Sequence, residues 1–209
     1  MTLTIVQIPA GPIDTNSYLV IDDAANEALI IDAPPESVEL LVAETTKLGA
    51  TVRSLIVTHG HWDHIGDTAA VASTFDVPVS AHSLAVDRIA KPETRFPIEI
   101  PPATVDHFID EGDVVRLGSH VFTVMHLPGH DEGHIALHSA ADAVFLGGDA
   151  LFPGGHGRTD IPGSDQATMN RSIKRLLDLP DDVTVYPGHG ETTTIGAERP
   201  WMTRLAARA

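Results

Sequence analysis

Short runs of β-branched and aliphatic residues alternate along this chain with polar turns marked by glycine and proline. Residues 3–8, 17–21 and 28–32 are the first such runs, with Gly11-Pro12 and residues 14–16 between two of them, and they predict a strand meander. The period then changes. After Pro34 and Pro35, Val38, Leu41, Val42, Thr45 and Leu48 recur at helical spacing and Gly49 stops the pattern, so residues 36–48 are expected as a helix with one face buried on the sheet. Residues 54–57 return to strand. A helix over 66–75, with Ala70, Val71 and Phe75 inward, a strand over 77–81 and a short helix over 83–89 complete a β/α unit.

The stretch 91–102 contains four prolines and reads as an irregular crossover within one domain spanning 1–209. It separates two comparable halves. The second opens with hairpin-like runs at 105–109, 113–117 and 120–125, turned at Gly112 and Gly118, and continues with strands at 135–138 and 144–146. A helix over 166–177, a strand over 183–186 and a closing helix over 197–207, with Pro200 in its first turn, finish the chain. No sequence repeat is visible, but each half runs from strands into helix, which predicts an α/β fold.

With 209 residues, 43% of them hydrophobic, the chain can bury an ordinary globular core. Its formal net charge of -16 opposes contact with phosphate backbones or anionic membranes, so nucleic acid and membrane are not expected partners. There is no cysteine, which removes disulfides, thiolate ligands and a cysteine nucleophile. The first residues carry no basic segment, and no apolar run approaches the ~20 residues of a membrane span, so the expected location is the cytoplasm.

Charge and composition matter most at one place. Thr58-His-Gly-His-Trp-Asp-His64 puts three imidazoles and a carboxylate directly behind the apolar run 54–57, at a strand end where α/β proteins commonly place their sites. Nitrogen and oxygen donors of this kind suit zinc, iron or manganese. Three more segments each offer one donor at a strand-to-loop junction beside glycine: Leu127-Pro-Gly-His130, Phe145-Leu-Gly-Gly-Asp149 and Val185-Tyr-Pro-Gly-His-Gly190. The glycines are expected to let backbone approach the metal or turn sharply.

Taken together, His59, His61, Asp63, His64, His130, Asp149 and His189 resemble the ligand set of the metallo-β-lactamase superfamily, along essentially the whole chain and in the family's motif order. The resemblance implies a four-layer αββα sandwich with the site at one edge of the sheets. It assigns His59, His61 and His130 to a first metal, Asp63, His64 and His189 to a second, and Asp149 to both. The implied cofactor is two divalent ions, zinc foremost, with iron or manganese as alternatives. Such a pair lowers the pKa of a shared water to yield hydroxide near neutral pH, so no serine triad is required. Asp63 is then also a catalytic candidate, to orient the water or accept its proton.

Gly157-Arg-Thr-Asp160 and the segment 187–198 give a finer resemblance to small glyoxalase II-like hydrolases, implying cleavage of a small thioester or ester. Only 20 residues follow His189, room for one helix but not for the helical domain with which full-length glyoxalase II grips glutathione. An iron persulfide dioxygenase using His59, His130 and Asp149 is the alternative, and a non-catalytic binding protein of the same fold a third reading. Arg158 is either a scaffold residue paired with a carboxylate beneath the site or an anchor for a substrate carboxylate. Asp131 stands where relatives usually have Thr or Ser; it and His134 either support the ligands or are plain structure. His82, His107, His120, His126 and His138 lack partner spacing and read as structural or solvent-facing, and Trp62 as packing or pocket wall.

Overall fold

The computed structural model describes residues 2–93 and 98–207. Strands β1 (Leu3–Ala10), β2 (Thr15–Asp22) and β3 (Glu27–Ile31) form the predicted antiparallel meander, and β4 (Thr51–Ile56) then joins β3 in parallel after helix α1 (Val38–Leu48). Behind β4 come the short helix α2 (Trp62–Ile65), helix α3 (Thr68–Phe75), strand β5 (Val79–Ala81), a 3-10 turn and helix α4 (Val86–Ala90). Strand β6 (His107–Phe108) completes this first sheet, in the order β1-β2-β3-β4-β5-β6.

The second sheet contains β7 (Val114–Leu117), β8 (His120–His126), β9 (Ile135–Ser139), β10 (Val144–Gly148), β11 (Thr184–Pro187) and β12 (Thr193–Thr194). They lie in the order β12-β11-β10-β9-β8-β7, and helices α5 (Gln166–Leu176) and α6 (Ile195–Ala206) cover the outer face.

Side-chain alternation explains the layering. On β2 and β3, Leu19, Ile21, Ala28 and Ile30 face the helices, while Tyr18, Val20, Leu29 and Ile31 face the other sheet. On β9 and β10, Ile135, Leu137, Val144 and Leu146 meet that same inter-sheet core, while Ala136 and Phe145 turn outward to pack with Met169 and Ile173 of α5. Three cores stacked between four layers are therefore built by strands buried on both faces, and every residue of β2 is buried. The architecture is the αββα sandwich.

Several sequence expectations are corrected. The run 105–109 forms no hairpin with 113–117: β6 pairs in parallel with β5, Ser80 opposite His107, and so ends the first sheet. On α1, Leu41 and Thr45 are buried but Val42 and Leu48 are exposed, because the sheet covers a narrower stripe than the apolar pattern. Ala70 faces solvent on α3, and Ala72 packs inward beside Val71 and Phe75. Helix α6 starts at Ile195, since Thr194 Oγ1 accepts the N–H of Ala197 as a cap, which puts Pro200 in the second turn. The crossover expected over 91–102 includes residues 94–97, which lie outside the described residues. Among the described residues no helix is long and apolar enough to cross a membrane.

Candidate metal centre

All four predicted segments end at one edge of the sandwich. His59, His61, Asp63 and His64 follow β4, with α2 turning Asp63 and His64 back toward the sheets. His130 lies between β8 and β9, Asp149 directly after β10, and His189 after β11. Backbone bonds fix the loops to one another: the Ile135 N–H donates to the Thr58 carbonyl at 2.8 Å, and the Gly188 N–H to the Gly148 carbonyl at 2.8 Å. The first of these joins the two sheets.

The seven side chains converge. Donor atoms of His59, His61 and His130 lie within 4.8 Å of one another, as do those of Asp63, His64 and His189, and those of His59, His64 and Asp149. Asp149 stands between the sets: its Oδ1 is 3.3 Å from His64 Nε2, and its Oδ2 is 3.3 Å from His130 Nε2 and 3.8 Å from His189 Nε2. His189 Nε2 is also 3.2 Å from Asp63 Oδ2. Three inward atoms, His59 Nε2, His64 Nε2 and Asp149 Oδ1, are buried without a hydrogen-bond partner among the described residues. Buried polar atoms are ordinarily satisfied, so their common direction fits cations taken by nitrogen and oxygen donors.

The surroundings set the charge of each group. Burial and the adjacent imidazole of His64 push His59 well below the usual histidine range, and burial with His130 lowers His61 to about 3. Burial works against ionisation of Asp63 and Asp149, yet the neighbouring His64 holds Asp63 at about 2 and Asp149 well below the carboxylate range. His64 goes the other way: burial opposes its proton, but Asp149, Asp63 and Asp32 hold it well above the usual value. The centre thus offers carboxylates already ionised.

Asp32 and Thr15, which the sequence did not single out, support the converging side chains. Asp32, at the end of the meander and in a left-handed conformation at φ 60°, accepts from His64 Nδ1 at 2.7 Å and from the N–H and hydroxyl of Thr58. Its only signal was a carboxylate closing an apolar run. Thr15 Oγ1 donates to Asp63 Oδ2 at 3.0 Å. His134 takes a supporting place: it is buried and accepts the Asp149 N–H at 2.9 Å through Nε2, while burial lowers its pKa to about 3 and keeps it neutral.

The glycines do less uniform work than expected. A Cβ on Gly188 would lie 2.1 Å from Asp149 Oδ1 and 2.7 Å from His64 Cε1, so this glycine does permit close approach. Gly129, beside His130, instead clears the backbone of Met169 on α5.

Among the described residues Arg158 pairs with no carboxylate beneath the site. Its side chain, 71% exposed, bonds Asp160 at 2.8 and 3.1 Å, and its main-chain carbonyl accepts from His130 Nδ1 at 2.7 Å. It lines a cavity of about 580 Å³ over the ligands, walled by Ile13, Trp62, Phe152, Ile161 and Pro162. Away from the centre, His82, Asp110 and His126 also approach one another, but His82 Nδ1 accepts the Leu84 N–H and its Nε2 faces Asp110 Oδ1 at 3.2 Å, so both ring nitrogens are engaged.

The profile of the metallo-beta-lactamase superfamily matches residues 10–189, a span that holds all seven converging side chains. The chain belongs to the metallo-beta-lactamase superfamily. Within that superfamily it is 34% identical to a Haemophilus influenzae protein named hydroxyacylglutathione hydrolase GloC, over 92% of this chain and 93% of the other. The solved structure of BLEG-1, a B3 metallo-beta-lactamase, superposes with a TM-score of 0.88 at 34% identity, covering 96% of this chain and all of that one. TTHA1623 in a di-iron-bound form gives 0.82 at 36% identity, over 93% and 96% of the two chains. ETHE1 from Myxococcus xanthus gives 0.81 at 28%, over 99% and 85%.

Proposed function

We propose that the protein is a dinuclear metal-dependent hydrolase of small thioesters or esters, acting in the cytoplasm on a small molecule and not on nucleic acid. One observation carries this reading: the Asp149 carboxylate faces both histidine sets, Oδ1 toward His64 at 3.3 Å and Oδ2 toward His130 at 3.3 Å and His189 at 3.8 Å. A single ion would leave one set without purpose. His59, His61 and His130 would hold the first ion, Asp63, His64 and His189 the second, with Asp149 shared. Zinc is the first choice for both, and the di-iron form of TTHA1623 keeps iron in view beside manganese. Bound there, the pair supplies a water acidic enough to attack at neutral pH and polarises the carbonyl under attack.

The protein's own groups do the rest. Asp63, ionised and fixed by Thr15, orients the attacking water and accepts its proton. The water oxygen bonds to the acyl carbon, the carbon–sulfur or carbon–oxygen bond breaks, and the leaving thiolate or alkoxide takes up the proton. Trp62, Ile161 and Pro162 keep bulk water from the acyl group, and Arg158 at the rim meets an anionic end of the substrate. Similarity to hydroxyacylglutathione hydrolase GloC supports the thioester choice.

A persulfide dioxygenase with one iron on His59, His130 and Asp149 is the competing reading, to which the likeness to ETHE1 gives weight. The metal-loaded enzyme should be offered S-lactoylglutathione and glutathione persulfide in parallel, following thiol release and dissolved oxygen. Thiol release without oxygen uptake is expected. Oxygen consumption that requires iron and persulfide, with negligible thioester cleavage, would show the dioxygenase assignment to be correct.

A further inference from the structure

Arg88 leaves α4 and reaches three loops of the centre. Its Nη1 lies 3.0 Å from Asp131 Oδ2, and its Nη2 donates to the Pro162 carbonyl at 3.4 Å. The backbone is pared away to admit it. A Cβ on Gly60, between His59 and His61, would fall 2.8 Å from Arg88 Cβ, and one on Gly163 would fall 2.4 Å from Nη2. Asp131 is 1% exposed; its Oδ1 accepts the Gly133 N–H at 2.8 Å, whereas Oδ2 makes no hydrogen bond among the described residues. That second oxygen sits 3.9 Å from His61 Nε2.

His61 Nδ1 and His130 Nε2 face each other at 2.8 Å, a separation at which one of them must carry the proton. Ligation of one ion by both needs both lone pairs free. The proton of His61 then belongs on Nε2, the atom turned toward Asp131. We propose that Arg88 and Asp131 form a positioning pair for His61: the Asp131 carboxylate holds the Nε2–H tautomer and the ring orientation, and Arg88 balances the carboxylate's buried charge. A carboxylate behind a ligating histidine fixes its tautomer and raises its donor strength. The guanidinium is what makes a buried carboxylate tolerable at this place. The proposal rests on the two-ion reading, in its assignment of His61 to the first ion.

The test is stepwise zinc affinity, measured against a chromophoric chelator, together with the visible spectrum of the cobalt-substituted protein. The variants are Asp131→Ala, Asp131→Asn and the double Arg88→Met/Asp131→Asn. Single Asp131 variants should weaken the first ion by roughly 10–100-fold, leave the second near wild type, and alter the cobalt spectrum. The double variant removes both charges, so its thermal stability should return toward wild type while the first-ion affinity stays low. A double variant that regains both stability and affinity, with the wild-type spectrum, would show the pair to be merely structural. His61→Ala serves as the control for the underlying reading. If the wild type takes one ion only, the comparison is made on that ion, and a His61 effect without an Asp131 effect overturns the proposal. Uptake unchanged by His61→Ala would instead defeat the ligand assignment.

Discussion

Asp32 Oδ2 and His64 Nδ1 meet at 2.7 Å, both side chains buried. The bond directs His64 Nε2 to the opposite side, toward Asp63 and Asp149 at 3.4 and 3.3 Å. Asp32→Asn keeps the shape but loses the ionised acceptor. It should weaken the second ion by about 10–100-fold while sparing the first, as read by stepwise chelator competition.

Asp149 faces both sets, so Asp149→Ala should strip both ions rather than one. Metal content per chain after gel filtration gives the answer. Retention of one ion at wild-type affinity would sink the shared-ligand role.

Gly188 packs its backbone against the Asp149 carboxylate. Gly188→Ala puts a methyl 2.1 Å from Oδ1, which forces the carboxylate or the 188–189 loop to move. The expected result is a loss of activity of at least tenfold with destabilisation of about 1–3 kcal/mol, seen in turnover and in chemical unfolding of the loaded protein.

Glu198 is buried and accepts from the Gly154 N–H, Thr193 Oγ1 and Trp201 Nε1, each at 2.6 Å. Burial opposes its ionisation, but these three donors hold its pKa below the usual glutamate value. A depressed carboxylate stabilises above its unfolded pKa and ceases to do so as pH falls through its folded one. Glu198→Gln should therefore lower the melting temperature at pH 7 by about 2–4 °C, for roughly 1 kcal/mol in a chain of this size. The gap should close in strongly acidic buffer. A gap independent of pH would mean that charge is not what matters there.

With no cysteine in the chain, thiol-blocking reagents should leave activity unchanged, while chelators abolish it and added metal restores it. Full activity after verified metal removal would defeat the hydrolytic scheme.

Most of the strands, and the turns whose side chains converge, were legible in the sequence because both are local. Apolar runs mark the doubly buried strands, and each of His59, His130, Asp149 and His189 follows such a run at a glycine-marked turn. The residues that support them are distant in the chain. Asp32 reaches Thr58 and His64 across 26 and 32 positions, and Thr15 reaches Asp63 across 48, distances over which periodicity carries no information. Arg88 looked like one residue of a short helix, and its role depends on where Gly60, Asp131 and Pro162 arrive. Strand β12 is two residues long, too short to show a rhythm, and β6 could be assigned to its sheet only through its neighbour β5.

The far edge of the sandwich is organised quite differently. Asp22, at the end of β2, accepts from the N–H groups of Ala24 and Ala25 through Oδ1 and from that of Ser119 through Oδ2. One carboxylate thus ties the β2–β3 turn to the β7–β8 turn, at the strand ends remote from every candidate ligand. The molecule accordingly has a working rim and a handle. A dye, a surface tether or a fused protein placed at residues 24–26 would hang from that handle, leaving the mouth of the cavity open to small molecules while the chain is immobilised.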